Sequence, residues 1–204
     1  MNLFNASFLL RTDMGKRLAK IVSYVLSNPV TGGAGGLALM ASEGVRSSDI
    51  ALKTVAILFF YSLLPFASVY YLRLRGRSDV FMSDRARRPK HFIPGLIGYA
   101  VSTILFKAWD TRLLTVASAS FFTTSLILLF FTFRIKASIH VSGLATVAML
   151  FLYFHGALGL LPFSLLPLLA WARVNTGEHT YPQTILGALI GFVGTSLTLI
   201  FFKP

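Results

Sequence analysis

The sequence predicts an all-α fold, a polytopic transmembrane helical bundle with six core spans. Of its 204 residues 55% are hydrophobic and only 13% are charged, and the mean hydropathy is +0.71. A soluble domain of this length needs more polar surface than this composition provides. Several apolar stretches approach the ~20 residues that a spanning helix needs. The composition shows no break, so we expect a single domain over residues 1–204.

Four long apolar segments are expected to cross the membrane. They are Ile50–Tyr71, Leu113–Phe133, Ala137–Leu158 and Thr184–Phe202. Two shorter segments complete the predicted six, Ile93–Phe106 and Leu160–Ala172. At about 1.5 Å per residue, neither of these two reaches across a ~30 Å hydrocarbon core without extra turns from its flanking loops.

An N-terminal segment, Ile21–Ala41, is the weakest candidate for a span. It contains Asn28-Pro29 and the glycine-rich run 32–36, so we expect a broken helix there. No Lys-Ser or Lys-Thr follows the glycine run, which disfavours a phosphate loop. Close helix packing or a hinge is the expected role, and Gly187-x-x-x-Gly191 fits the same kind of packing.

The positive charge of the chain is unevenly distributed. The net charge is +12, from 19 Lys+Arg against 7 Asp+Glu, which in a membrane protein indicates contact with anionic headgroups and not with nucleic acid. If every segment crosses, 14 of the 19 basic residues share one face. The other face has Arg46, Lys53, Lys107, Arg112 and Lys203. The positive-inside rule makes the crowded face cytoplasmic, with the plasma membrane as the expected location, unless those arginines bind substrate.

Polar residues that are costly at membrane depth fall on the crowded face. His140 follows Ser138 at the start of an apolar helix, and Arg173 and His179 flank a short loop. Such ionisable residues are usually functional or paired. Two histidines with several arginines suit a phosphate ester. The arginines neutralise phosphoryl oxygens, one histidine attacks phosphorus, and the other protonates the leaving oxygen.

These residues resemble the motifs of the membrane type-2 phosphatidic acid phosphatase superfamily, which is related to haloperoxidases. That family carries K-x6-R-P, P-S-G-H and S-R-x5-H-x3-D. The third motif is similar to Ala172-Arg173, His179 and Gln183 at the same spacing. The second is similar to Ala137-Ser138-Ile139-His140, and the first to Arg88-Pro89. The resemblance covers residues 77–204 and keeps the family's motif order.

The resemblance implies a metal-independent lipid phosphatase that needs no cofactor. Its substrate would be a lipid phosphate, either a phosphatidate or a polyprenyl phosphate or pyrophosphate. His179 would be the nucleophile that forms a phosphohistidine, and His140 would be the acid for the leaving group. Arg88, Arg173 and Ser138 would hold the phosphate. The residues themselves add one argument, since backbone N–H groups at the helix start near Ser138 favour an anion.

Three departures from the family pattern leave a second function open. Phe81 stands where the first motif has Lys, and Arg85 or Lys90 would have to replace that phosphate contact. Ile139 replaces a Gly. Gln183 replaces the Asp that orients the nucleophile, and an amide accepts a hydrogen bond without supplying negative charge. The alternative is therefore a non-catalytic lipid-phosphate binding or transport protein.

Two polar features have simpler interpretations. The basic cluster Arg85–Lys90 also fits plain attraction to lipid headgroups. His155 lies near the far end of its helix, where we expect an interfacial or helix–helix contact. Cysteine is absent from the chain, so disulfides and thiolate metal sites are excluded.

Overall fold

The computed structural model describes residues 3–74 and 88–202, without the side chains of residues 3–12, 68, 69, 72, 73, 88 and 91. Over these ranges the chain is helical and has no β-strand, as the sequence predicts. The α-helices are α1 (Leu3–Val25), α2 (Asn28–Ser42), α3 (Ile50–Ile57), α4 (Leu64–Leu74), α5 (Arg88–Ala108), α6 (Arg112–Thr132), α7 (Ile139–His155), α8 (Leu160–Asn175) and α9 (Tyr181–Phe201).

The N-terminal segment is broken where Asn28-Pro29 predicted a break. Helix α1 ends at Val25 and α2 begins at Asn28, with Pro29 in its first turn, a position that tolerates the missing N–H. The glycine run lies inside α2 and serves close packing. A Cβ at Gly36 would lie 2.8 Å from the side chains of Ile57 and Tyr61. The sequence did not predict that α1 extends back to Leu3.

Helices α3 and α4 form one rod joined by a π-helical turn, Leu58–Leu63. Pro65 accounts for the wider turn, because it has no N–H for the Tyr61 carbonyl four residues earlier and its ring would clash with that oxygen. The buried Tyr61 hydroxyl lies 3.0 Å from the Leu114 carbonyl, to which it donates, and 2.6 Å from Ser118 Oγ. These bonds fix the rod against α6.

Helices α7 and α8 form an antiparallel hairpin. A short 3₁₀ turn, Gly156–Gly159, joins them, and Gly156 adopts φ 58°, a conformation that favours glycine. Val141, near the start of α7, packs with Leu169, near the end of α8. The start of α7 and the end of α8 therefore lie at the same end of the bundle.

The apolar helices are compatible with an integral membrane protein. Within residues 3–74 and 88–202, four helical stretches are long and apolar enough to cross a membrane: Ser47–Ala67, Arg112–Thr132, Ile139–Asn175 and Tyr181–Phe201. The third stretch comprises the hairpin of α7 and α8. Phe92–Ala108 is apolar but shorter, as predicted for Ile93–Phe106. Among the described residues the structure thus gives four apolar helical stretches of spanning length, one of them the α7–α8 hairpin, where the sequence predicted six spans.

Two apolar clusters define the two ends of the bundle. One contains Phe92 of α5, Leu128 of α6 and Ala137 just before α7. The other contains Phe106 at the end of α5, Leu114 at the start of α6 and Leu199 at the end of α9. The motif residues that the structure describes lie at the first end, which we call the motif end. The second we call the far end.

Candidate active site

The motif end brings together the segments that carry the sequence motifs. It contains the start of α5, the loop between α6 and α7, the end of α8 and the start of α9. Their meeting follows from the alternating direction of α5 to α9, which places each second loop at the same end. The described residues of all three motifs therefore lie at one end of the bundle.

The loop from α8 to α9 folds back over the last turn of α8. Gly177 adopts φ 76°, which allows the chain to reverse. The backbone N–H groups of Glu178 and His179 both lie 3.2 Å from the Arg173 carbonyl oxygen and donate to it. Arg173 and His179 are held together in this way, although five residues separate them. Both are buried, with exposed fractions of 1% and 7%.

Gln183 determines which ring nitrogen of His179 carries the proton. The Gln183 Oε1 atom accepts a hydrogen bond from the Thr180 backbone N–H at 3.3 Å, which identifies that atom as the oxygen. The same oxygen lies 3.2 Å from Nδ1 of His179. Because an amide oxygen only accepts, Nδ1 must be the donor. In the neutral form of this ring the lone pair is then on Nε2, a nitrogen that can act as a nucleophile or base.

Thr180 and Gln183 form a capping box at the start of α9. The Thr180 side chain accepts from the backbone of Gln183, while the Gln183 side chain accepts from the backbone of Thr180. Sequence reasoning missed this role of Thr180. The pattern Thr-x-x-Gln before an apolar run is a known helix-start signature and would have revealed it. Gln183 thus stabilises α9 and orients His179 with one oxygen atom.

Ser138 lies beside the third motif at the start of α7. Its backbone N–H donates to the Gln183 carbonyl at 3.0 Å, which ties the second motif to the third. The Ser138 side chain is fully buried, and within the described ranges its Oγ has no hydrogen-bond partner. It is the N-cap residue of α7 but makes no side-chain capping bond. The first N–H groups of α7 are therefore not capped by Ser138 and retain their preference for an anion.

A glycine allows α9 to approach Ser138 this closely. A Cβ at Gly187 would lie 2.5 Å from the Ser138 carbonyl oxygen, which is far inside van der Waals contact. One turn later Gly191 packs against the Ser142 carbonyl in the same way. The small-residue packing predicted from Gly187-x-x-x-Gly191 is confirmed, and its partner is α7.

The structure describes the other predicted site residues in different detail. His140 is half-buried in the first turn of α7, two residues after Ser138. Arg88 begins α5 one turn before Phe92, at the motif end, but its side chain is not described. Lys90 is exposed on the same helix. Arg85 and Phe81 lie outside the described residues. His155 is at the far end and contacts Ser42 Oγ at 3.2 Å, in agreement with the predicted helix–helix role.

Comparison of the chain with protein-family models, with curated proteins and with solved structures finds no match.

Proposed function

We propose that this protein is an integral membrane lipid-phosphate phosphatase. It would hydrolyse the phosphomonoester or pyrophosphate of a phosphatidate-type or polyprenyl-type lipid. The observation that supports this most directly is the hydrogen bond between Nδ1 of His179 and Gln183 Oε1, which puts the lone pair of the neutral ring on Nε2. The backbone N–H of His179 donates to the carbonyl of Arg173, and Arg173 is buried. A guanidinium stays charged at every physiological pH and binds phosphoryl oxygens in a planar fork.

The proposed reaction has two steps. In the first, Nε2 of His179 forms a bond to phosphorus as the bond from phosphorus to the lipid oxygen breaks, and His140 gives that oxygen a proton. Arg173, the start of α7 and the Ser138 hydroxyl stabilise the charge on the phosphoryl oxygens. In the second, water attacks phosphorus, gives up a proton to His140, and releases phosphate from His179.

The membrane arrangement that we propose has six core crossings. Helices α7 and α8 cross separately, and α5 crosses with turns supplied by its flanking loops. If the N-terminal segment crosses as well, the face that holds the motif end has 14 of the 19 basic residues by their order in the sequence. We assign this face to the cytoplasmic side of the plasma membrane. A lipid substrate reaches the site from that leaflet.

Phosphate release from lipid phosphates in detergent micelles tests the proposal. We expect release by the wild type and a loss on the order of 10³-fold or more in His179→Ala, because the nucleophile is gone. His155→Ala is the matched control, since it removes a histidine from the far end, and it should retain activity. If wild type and His179→Ala are equally inactive on every phosphatidate, polyprenyl phosphate and pyrophosphate tried, the phosphatase proposal fails.

A second candidate function is non-catalytic binding or transport of the same lipids. Gln183 favours it, because the amide beside His179 brings no negative charge to stabilise an imidazolium. Saturable binding of a lipid phosphate that depends on Arg173, without release of phosphate, would identify this function.

A further inference from the structure

A second polar site lies at the far end of the bundle, away from the motifs. A cavity of about 530 Å³ opens there between the α5–α6 turn and the end of α9. Its charged side chains are Lys107, Asp110 and Arg112, and its apolar wall includes Phe201 and Phe202. We call it the cationic pocket. None of the three motifs contributes to it.

The two cations of this pocket are available to an anion. Lys107 and Arg112 are both exposed. Among residues 3–74 and 88–202, no ion pair joins either side chain to a carboxylate, whereas Lys53 pairs with Asp49. With Asp110 counted, the pocket carries a net charge of +1. The neighbouring Leu113 N–H already donates to Glu43 at 2.7 Å, so an anion would be held by the two cationic side chains.

An apolar groove continues from the cationic pocket along the bundle. It has a volume of about 560 Å³, runs between α5, α6 and α9, and shares Phe201 and Phe202 with the pocket. We call it the α5–α9 groove. Its walls include Ala100, Ile104 and Phe122. Because Phe201 and Phe202 line both, the pocket and the groove are adjacent, and we call the polar pocket and the apolar groove together the depression.

The groove is apolar even where its lining residues carry hydroxyl groups. Thr103, Thr123 and Thr198 line it. Thr103 and Thr123 donate their hydroxyl hydrogens to carbonyls one turn earlier in their own helices, and the Thr198 hydroxyl lies within bonding distance of both the Gly194 carbonyl and Thr123 Oγ1. All three hydroxyl groups therefore have protein partners, and the methyl groups contribute most of their surface to the groove wall. Such a surface suits a hydrocarbon chain better than water.

The length of the depression matches one lipid leaflet. From Arg112 to Thr123 helix α6 rises by about 16 Å at 1.5 Å per residue. Half of a ~30 Å hydrocarbon core is about 15 Å. Trp109 lies next to the pocket in sequence, its ring packed on Phe106, and tryptophan is enriched at the boundary between headgroups and acyl chains. The pocket therefore lies at headgroup level and the groove at acyl-chain level.

We propose that the cationic pocket and the α5–α9 groove bind one anionic phospholipid from the leaflet opposite to the motif end. Its phosphate lies between Lys107 and Arg112, and one acyl chain follows the groove. This inference rests on insertion of the chain in a membrane, but it does not depend on the proposed catalysis.

Fluorescence quenching of Trp109 tests this site. The chain has two tryptophans, so Trp171→Phe leaves Trp109 as the single reporter. The protein is reconstituted in phosphatidylcholine vesicles that contain phosphatidylglycerol with brominated acyl chains. We expect half-maximal quenching at a mole fraction about tenfold lower than with brominated phosphatidylcholine, since each cation near the surface favours an anionic lipid.

Three variants in the Trp171→Phe background make the test specific. Lys107→Gln with Arg112→Gln should abolish the preference for the anionic lipid. Arg46→Gln, which removes an exposed charge at the same end but outside the pocket, should keep it. Ala100→Phe should fill the groove and weaken quenching by the brominated chain.

The opposite results overturn the proposal. Equal quenching by both lipids, or a preference that survives the double variant, would mean ordinary boundary lipid at Trp109. An unchanged response in Ala100→Phe would refute the placement of the acyl chain. Because quenching needs no turnover, failure here and failure of the phosphatase assay are distinguishable.

Discussion

His179 owes its defined tautomer to a hydrogen bond that also caps a helix. The Gln183 oxygen accepts from the Thr180 N–H and from Nδ1 of His179. The motif S-R-x5-H-x3-D has an Asp at the position of Gln183. The amide keeps the geometric part of that role, because it fixes the proton on Nδ1. It lacks the electrostatic part, because a neutral oxygen stabilises an imidazolium only weakly.

Gln183→Glu should therefore increase the rate of phosphate release. The carboxylate has the length of the amide, keeps the capping box with Thr180, and adds a negative charge next to Nδ1. A stabilisation of the imidazolium by one pKa unit corresponds to about tenfold in rate. Steady-state kcat on a lipid phosphate is the measurement. An unchanged or lower kcat, with the thermal stability of the wild type, would show that charge at this position does not limit the reaction.

At the scale of single residues, the sequence predicts which side chains belong to the candidate site better than it predicts the contacts between them. The spacing of Arg173, His179 and Gln183 was readable, and so was the ability of an amide to accept a bond from the ring. The tautomer of His179 was not, because it follows from a backbone N–H of Thr180 that assigns the amide oxygen. The hydrogen bond from the Ser138 N–H to the Gln183 carbonyl could not be predicted either, since it joins residues 45 positions apart in the sequence.

Helix α9 is held against α7 by glycines, and their substitution tests that packing. A Cβ at Gly191 would meet the Ser142 carbonyl, which is backbone and has little room to move. Gly191→Ala should lower the free energy of unfolding by about 1–3 kcal/mol, the usual cost of overpacking. Gly15→Ala in α1 is the control, because nothing lies within 4 Å of its added methyl group. Thermal unfolding in detergent compares the two, and equal midpoints would contradict the packing.

Glu43 caps α6 from the end of α2 and should make stability depend on pH. Burial raises the pKa of its carboxyl above the ordinary value of 4.5, and the Leu113 N–H opposes this only in part. A raised folded pKa means that the folded protein binds the proton more tightly than the unfolded chain. The contribution of Glu43 is therefore fully present below pH 4.5 and is lost as pH rises through the raised pKa.

Glu43→Gln removes this titration and keeps an oxygen for the Leu113 N–H. We expect its unfolding midpoint to change less between pH 4 and pH 7 than that of the wild type. Glu43→Ala should cost about 1 kcal/mol at pH 4, because the bond to α6 is lost, and less at pH 7, where the contribution of Glu43 is reduced. A pH dependence that is identical in wild type and Glu43→Gln would contradict the assignment to this carboxyl.

The sequence predicted the ends of helices where residues next to the boundary determine it. Asn28-Pro29 predicted the break between α1 and α2, and the charge-free stretches predicted α6 and α9. The extension of α1 to Leu3 was missed, because Arg11, Lys16 and Lys20 argue against a membrane span but not against an amphipathic helix. The π-helical turn was missed as well. Pro65 explains the π-helical turn once the structure is known. From the sequence alone, a proline in an apolar segment is equally consistent with a kink or with the end of a helix.

At the scale of the whole molecule, the reversal at Gly156 decides which residues meet. It folds α7 and α8 into a hairpin, which returns Arg173 to the end where Ser138 lies. Counting the predicted spans along the sequence also puts Arg173 and Ser138 at the same end. Helix length and hydropathy alone do not reveal the reversal at Gly156, because residues 139–175 form one continuous apolar stretch.

The orientation of the bundle is testable because the chain has no native cysteine. Asn175→Cys places a thiol at the motif end, and Ser48→Cys places one at the far end. Both positions are exposed. With the motif end cytoplasmic, a membrane-impermeant maleimide should label Ser48→Cys in intact cells and Asn175→Cys only after lysis. Labelling of Asn175→Cys from outside would reverse the assignment.

The central claim is that His179 carries the phosphoryl group, and trapping the intermediate tests it most directly. The protein is mixed with a lipid phosphate labelled at its terminal phosphate, quenched in base and digested. We predict base-stable, acid-labile label on the peptide that contains His179, present in wild type and His155→Ala and absent in His179→Ala. Phosphate release with no labelled histidine, or label on another residue, would contradict the account.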